Sequence, residues 1–220
     1  MDIENILKAL VPSSSECEEK ARQLHETYPK LPPAELANKA VKQAKTLLAA
    51  AGAGAGVVGN PLAMVPLAAA EMTLVLSREA KLAGVVAALL DPDVLKDEDA
   101  FAADVLAILF PGAVSQALSQ FTVRAGQQTT KVLIRKYISK DVLKRIIKFA
   151  AKYLGLKLTQ RAIITKTVPV VGALIGATWN WVEVQALGKR AINYYLKGDA
   201  GDPEVVTAEG GTDGEAGNQG

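Results

Sequence analysis

Residues 139–154, SKDVLKRIIKFAAKYL, place lysines at 140, 144, 148 and 152, with Arg145 beside them. At about 100° per residue these cations fill one arc of a helix, and Val142, Ile146, Phe149, Ala150 and Tyr153 fill the opposite arc. A strand turns over every second residue and cannot sort this order into two faces. The segment therefore has to be an amphipathic helix with its apolar side against a core, and Gly155 is its expected C-cap. Alternating β patterns are nearly absent elsewhere in the chain. The fold class that follows is all-α: a single helical bundle with Gly/Ala-rich central helices.

Proline and glycine punctuate the remaining helices. Ser15 is read as the N-cap of a polar helix reaching Tyr28, after which PKLPP (29–33) breaks the chain. Pro33 suits the first turn of a helix over about 34–51. The glycine-rich stretch 52–61 is expected to end it. A long helix is predicted from about Pro66 to Leu90, stopped by DPD (91–93) and followed by an acidic connector, KDED (96–99). A shorter apolar helix runs to Phe110, Pro111 interrupts it, and another leads from about Gly112 toward Tyr137. The last helix is expected to end near Leu196, before Gly198. Beyond it, Asp199, Asp202, Glu204, Glu209, Asp213 and Glu215 occur with no Lys or Arg, which predicts a disordered acidic C-terminal tail. The organisation is thus an N-terminal helical segment (1–29), a helical domain (30–197) and a tail (198–220).

Half of the chain is hydrophobic but only 5% is aromatic, and the mean hydropathy of +0.17 demands a sizeable core or a membrane contact. Three stretches lack charge: Thr46–Ala70, Val105–Val123 and Thr167–Val182. The first two contain prolines and are mostly alanine where apolar; the third is short and contains Asn180. A soluble helical core with peripheral membrane contact is expected over a spanning helix. The acidic, amphipathic start does not resemble a secretory signal, and a single cysteine, Cys17, excludes an internal disulfide framework. Cytoplasmic residence is the expectation, with the inner face of the cell membrane as the site of any peripheral contact.

No catalytic constellation stands out. Residues 54–59, GAGVVG, match G-x-G-x-x-G, but a helical pattern precedes them and Asn60-Pro61 follows, so the dinucleotide-binding context is missing. Cys17 and His25 are the only Cys and His, too few for a metal site. Ser13–Ser15 lack a nucleophile elbow. Glu71 and Glu79 sit in the long apolar helix, where charges need partners, and Glu71 and Arg78 share a face as a candidate buried ion pair. No cofactor is implied. The basic stretch 131–166 contains one acid, Asp141. Anionic lipid headgroups suit it better than nucleic acid, because base-reading aromatic and amide side chains are not interleaved with the cations.

The order of segments resembles the EcsC family of bacterial proteins, and more distantly the helical domain of unknown function attached to some bacterial GTPases. The likeness covers about residues 30–197. It is carried by LLAAAGAGAGVVGNPLAMVPLAAAEMTLVLSREAKLAG and, more specifically, by V-P-V-V-G-A-x-I-G-A-x-x-N at Val168–Asn180, with an A-x-x-Y end at Ala191–Tyr194. The resemblance implies a bacterial, intracellular, helical protein, in some cases encoded near an ABC transporter. It brings no catalytic residue set, and the chain lacks the G-x-x-x-x-G-K-[ST] loop of a GTPase.

The function expected is therefore non-enzymatic: peripheral attachment at the cytosolic face of a bacterial membrane, or to a protein partner, through Lys140, Lys144, Arg145, Lys148 and Lys152, linked to transport or envelope physiology. A cavity protein for lipid or apolar ligands is one alternative, and a membrane-inserting pore-forming effector is another. In the last helix, Gly172, Gly176 and Asn180 fall at i, i+4 and i+8 on a ridge continued by Val184 and Gly188. This predicts a close packing seam against the small residues of 49–59.

Overall fold

The computed structural model describes residues 7, 9–52, 61–125, 129–167 and 172–198, with side chains placed at 7, 9–46, 73–119, 129–155 and 182–198. Among the described residues the chain is all-helical, with no strand. Eight α-helices follow in order: α1 (Ser14–Thr27), α2 (Pro33–Gly52), α3 (Pro61–Leu90), α4 (Glu98–Leu109), α5 (Pro111–Ala125), α6 (Thr130–Tyr137), α7 (Lys140–Thr167) and α8 (Gly172–Lys197). A 3₁₀ turn, Pro92–Lys96, joins α3 to α4.

Proline sits at the first position of α2, α3, α5 and the 3₁₀ turn, where its missing N–H costs nothing and its fixed φ favours the helix. Pro61 accordingly starts α3 earlier than the expected Pro66. At 30 residues and about 1.5 Å per residue, α3 is about 45 Å long, and it packs against α1, α2, α4 and α8. Part of the expected acidic connector is a helix start: Asp97 caps α4 by accepting from the Ala100 N–H at 3.0 Å, and Glu98 and Asp99 follow in the first turn. The helix expected from Gly112 to Tyr137 is two, because the backbone at Thr129 is extended before α6 begins.

Two groups of helices share the core. The pairing of α2 with α8 is the most extensive, with α3 and α1 beside it, and α5, α6 and α7 pack together on the other side. Between them lies α4, buried at every residue from Ala100 to Leu109 except Ala102. A helix that is apolar on nearly every face has to be covered on all sides, and α3, α5, α6, α7 and α8 all touch α4. Phe101, Leu106 and Ile108 are among its largest enclosed side chains.

Gly155 does not cap a helix. It lies inside α7, which continues to Thr167, and its backbone does not enter the left-handed region. Gly198 does stop α8: its φ of +83° is one that glycine tolerates, and its N–H closes on the Tyr194 carbonyl at 2.9 Å. The acidic tail beyond residue 198, the G-x-G-x-x-G match at 54–59 and the pairing surface at 53–59 lie outside the described residues.

No single described helix is long and apolar enough to cross a membrane. One pair, Glu98–Leu109 with Pro111–Ser119, passes by length and composition but is bent by 119° at its break. Its first arm is α4, which is buried within the bundle along most of its length.

Candidate functional site

The basic arc of α7 is where the periodicity puts it. Lys140, Lys144, Arg145, Lys148 and Lys152 are all exposed, while Val142, Ile146 and Ala150 are buried and Phe149 is half-buried. Tyr153 departs from the expected apolar arc: it is 42% exposed and lies over Gly112 at the start of α5. From Lys140 to Lys152 the stripe rises about 18 Å along the helix axis. Among the described residues its one acidic neighbour is Asp141, 3.8 Å from Lys144. Both side chains are so exposed that the pair contributes little.

The basic stretch of sequence does not form one surface. Lys131 and Arg135, on α6, turn inward to a buried acidic group that the sequence reading missed. Asp104, fully enclosed on α4, accepts from the Tyr194 hydroxyl at 2.6 Å and from the Arg135 guanidinium at 2.8 Å. Arg135 also reaches Asp91 at 3.2 Å, and Lys131 reaches the same carboxylate at 2.9 Å. Lys131 lies over the Tyr195 ring, 5.3 Å from its centre, and its backbone N–H donates to the Gly198 carbonyl at 2.9 Å. Tyr194 and Tyr195 meet edge to face at 5.1 Å. The cluster joins the end of α3, the middle of α4, all of α6 and the end of α8.

Burial dominates the electrostatics of this cluster. It pushes the Asp104 carboxyl up to about 6, against the opposing pull of the Tyr194 hydrogen bond and the charges of Arg135 and Lys131. Burial also raises both tyrosine phenols well above their ordinary range, and the nearby Asp104 charge adds to it. The Tyr195 hydroxyl is near the same carboxyl but outside hydrogen-bond geometry with it. The A-x-x-Y end noted in the sequence therefore has a structural role, since Ala191 and Tyr194 are both fully buried. Asp104 carried its own signal: it is the only charged residue between Asp99 and Arg124.

A second polar node crosses α3, α4 and α8. Arg190 donates to the Ile108 carbonyl at 2.8 Å; burial lowers its pKa, and the charges of Glu79 and Glu183 oppose that shift. The buried Glu79 thus acts electrostatically on a cation of α8. The Glu71–Arg78 pair cannot be placed, because the Glu71 side chain lies outside the described residues; Arg78 itself is half-buried.

A close α2–α8 contact lies at Gly188, against Val41 rather than against the expected 49–59. Gly188 on α8 meets Val41 on α2 so closely that an added methyl would lie 2.5 Å from both valine Cγ atoms. Val184, on the same ridge, is fully buried. The side-chain surroundings of Gly172, Gly176 and Asn180 lie outside the described residues. Cys17 is enclosed, with its thiol pushed up to about 12 by burial, then by Glu16, whereas His25 is exposed. Among the described residues no group of His, Cys, Asp and Glu could hold a metal. The chain matches no family model, no curated protein and no solved structure.

Proposed function

We propose that this chain is a non-enzymatic, EcsC-like binding protein that attaches to an anionic membrane surface through the basic arc of α7. One observation carries the reading: five exposed cations on a single helix face, backed by an apolar arc already committed to the core. Because Ile146, Ile147, Ala150 and Leu154 are buried within the bundle, the described side chains of α7 (140–155) leave no apolar face to insert. Attachment is then a matter of charge. At roughly 1 kcal/mol for each Lys or Arg near an anionic bilayer, five cations supply about 5 kcal/mol at most. That is enough for reversible association and too little for permanent anchoring. Salt must weaken it steeply, since the screening length is already about 10 Å at 0.1 M. Peripheral residence at the cytosolic face of a bacterial membrane belongs to the same proposal.

Co-sedimentation with vesicles tests it. Phosphatidylserine-containing vesicles are expected to pull down the full chain in low salt and release it in high salt, while purely zwitterionic vesicles leave it in solution. The double variant K144E/K148E, with both changes on exposed residues, should lose at least tenfold in partitioning with its thermal stability unchanged. Binding that ignores these reversals, or no binding to anionic vesicles at all, removes the proposal.

A further inference from the structure

A groove of about 440 Å³ opens between α1, α2 and α3, away from the basic arc of α7. That volume falls within the roughly 300–1,000 Å³ typical of small-molecule sites. Its floor is apolar, formed by Leu24, Ala40, Leu82 and Val85 with the enclosed Cys17. Charge is confined to the rim, and most of it is already neutralised. Lys81 pairs with Glu16 at 2.6 Å, and Glu19 is held by Arg22 and by Gln23. That leaves two cations, Lys20 and the half-buried Arg78, without an ion pair among the placed side chains, which do not include Glu71.

An apolar trough with a half-buried guanidinium at its edge suits a ligand that is apolar along its length and anionic at one end. A guanidinium presents parallel N–H donors that match both oxygens of a carboxylate, and partial burial strengthens such a pair. We propose that this groove binds a free fatty acid, its chain over the Leu24–Leu82–Val85 floor and its carboxylate against Arg78, with Lys20 adding positive potential at the mouth. The site is independent of the surface attachment proposed for α7. Fatty acid binding and vesicle binding can fail separately.

Laurate titrated calorimetrically into the purified full chain, below its micelle concentration, is the test, with dodecanol as the uncharged control. Laurate is expected to bind at one site per chain. R78Q should weaken laurate at least tenfold and leave dodecanol unchanged, because only the charged head is addressed. A44F, on the half-buried groove wall, should abolish binding of both, and circular dichroism melts of each variant report whether the fold is intact. K144E/K148E should bind laurate as the unmodified chain does. Absence of laurate binding, equal loss of laurate and dodecanol in R78Q, or laurate binding that survives A44F each overturns the proposal.

Discussion

Replacing Asp104 by asparagine asks whether the buried carboxylate holds the bundle together or strains it. In the unfolded chain the group titrates near 3.8, and in the folded chain burial moves it to about 6. At about 1.4 kcal/mol per pKa unit, the ionised form is disfavoured in the fold by roughly 3 kcal/mol relative to the protonated form. The sign follows from linkage. Between these two values the native state keeps a proton that the unfolded state releases, so this contribution is complete below about pH 4 and is lost as pH rises through about 6. Asparagine is neutral at every pH and nearly the same shape. Its amide can donate to the Tyr194 oxygen, which accepts as readily as it donates, while its carbonyl accepts from Arg135. Arg135 is not stranded by the change, since its side chain is 31% exposed and retains Asp91. The expected outcome is that D104N is at least as stable as the unmodified chain near pH 7.5. The stability of the unmodified chain relative to D104N should then rise by roughly 2 kcal/mol on going to about pH 4.5. Urea unfolding followed by far-UV circular dichroism across that range measures the difference, and subtracting one variant from the other cancels every carboxylate they share. D104A serves as the contrast: it leaves the enclosed Tyr194 hydroxyl without its acceptor and should cost about 1–3 kcal/mol at every pH. A pH-independent gap between the unmodified chain and D104N, with D104N as unstable as D104A, would refute the reasoning and make the charged pair a net stabiliser.

Two further substitutions test the packing. An added methyl at Gly155 in the middle of α7 meets nothing within 4 Å among the described residues beyond its own helix backbone, so G155A should stabilise by roughly 0.5–1 kcal/mol, read as a higher urea midpoint with an unchanged slope. At the α2–α8 crossing, G188A would press on both methyls of Val41, whose β-branched side chain has no rotamer that withdraws them both. A loss of roughly 1–3 kcal/mol is expected, and the double variant G188A/V41A should recover part of it in a double-mutant cycle.

Much of the fold is legible in the sequence because local rules and tertiary packing agree there. The four-residue lysine spacing, the N-terminal prolines of α2 and α5 and the glycine after α8 each report a helix or its end, and the bundle uses them as such. Gly155 shows where local rules fail. Glycine favours a C-cap only if the chain needs to turn, and the flanking apolar periodicity carries α7 straight through. The buried cluster was illegible for a different reason. Asp104 closes one run of residues and the charge-free stretch 105–123 begins directly after it, so a reading built on uncharged windows passes over it. Its partners lie 31 and 90 positions away, a distance that local pattern cannot bridge.

The cluster also changes what the basic stretch of sequence means. Counted along the chain, Lys131, Arg135, Lys140, Lys144, Arg145, Lys148 and Lys152 form one positively charged block. In space they divide at the turn between α6 and α7. Lys131 and Arg135 are spent on Asp91 and Asp104, and they fasten an eight-residue helix that is too short to be stable alone. The cations from Lys140 to Lys152 face outward and have, among the described residues, one weak acidic neighbour. Neutralising the first pair would loosen α6 and disturb the core. Neutralising the second group removes surface potential from a helix whose opposite side is already packed. The surface charge of this stretch is therefore smaller than the sequence count implies, and it is concentrated on one helix face, where the proposed contact with headgroups would carry no cost to the fold.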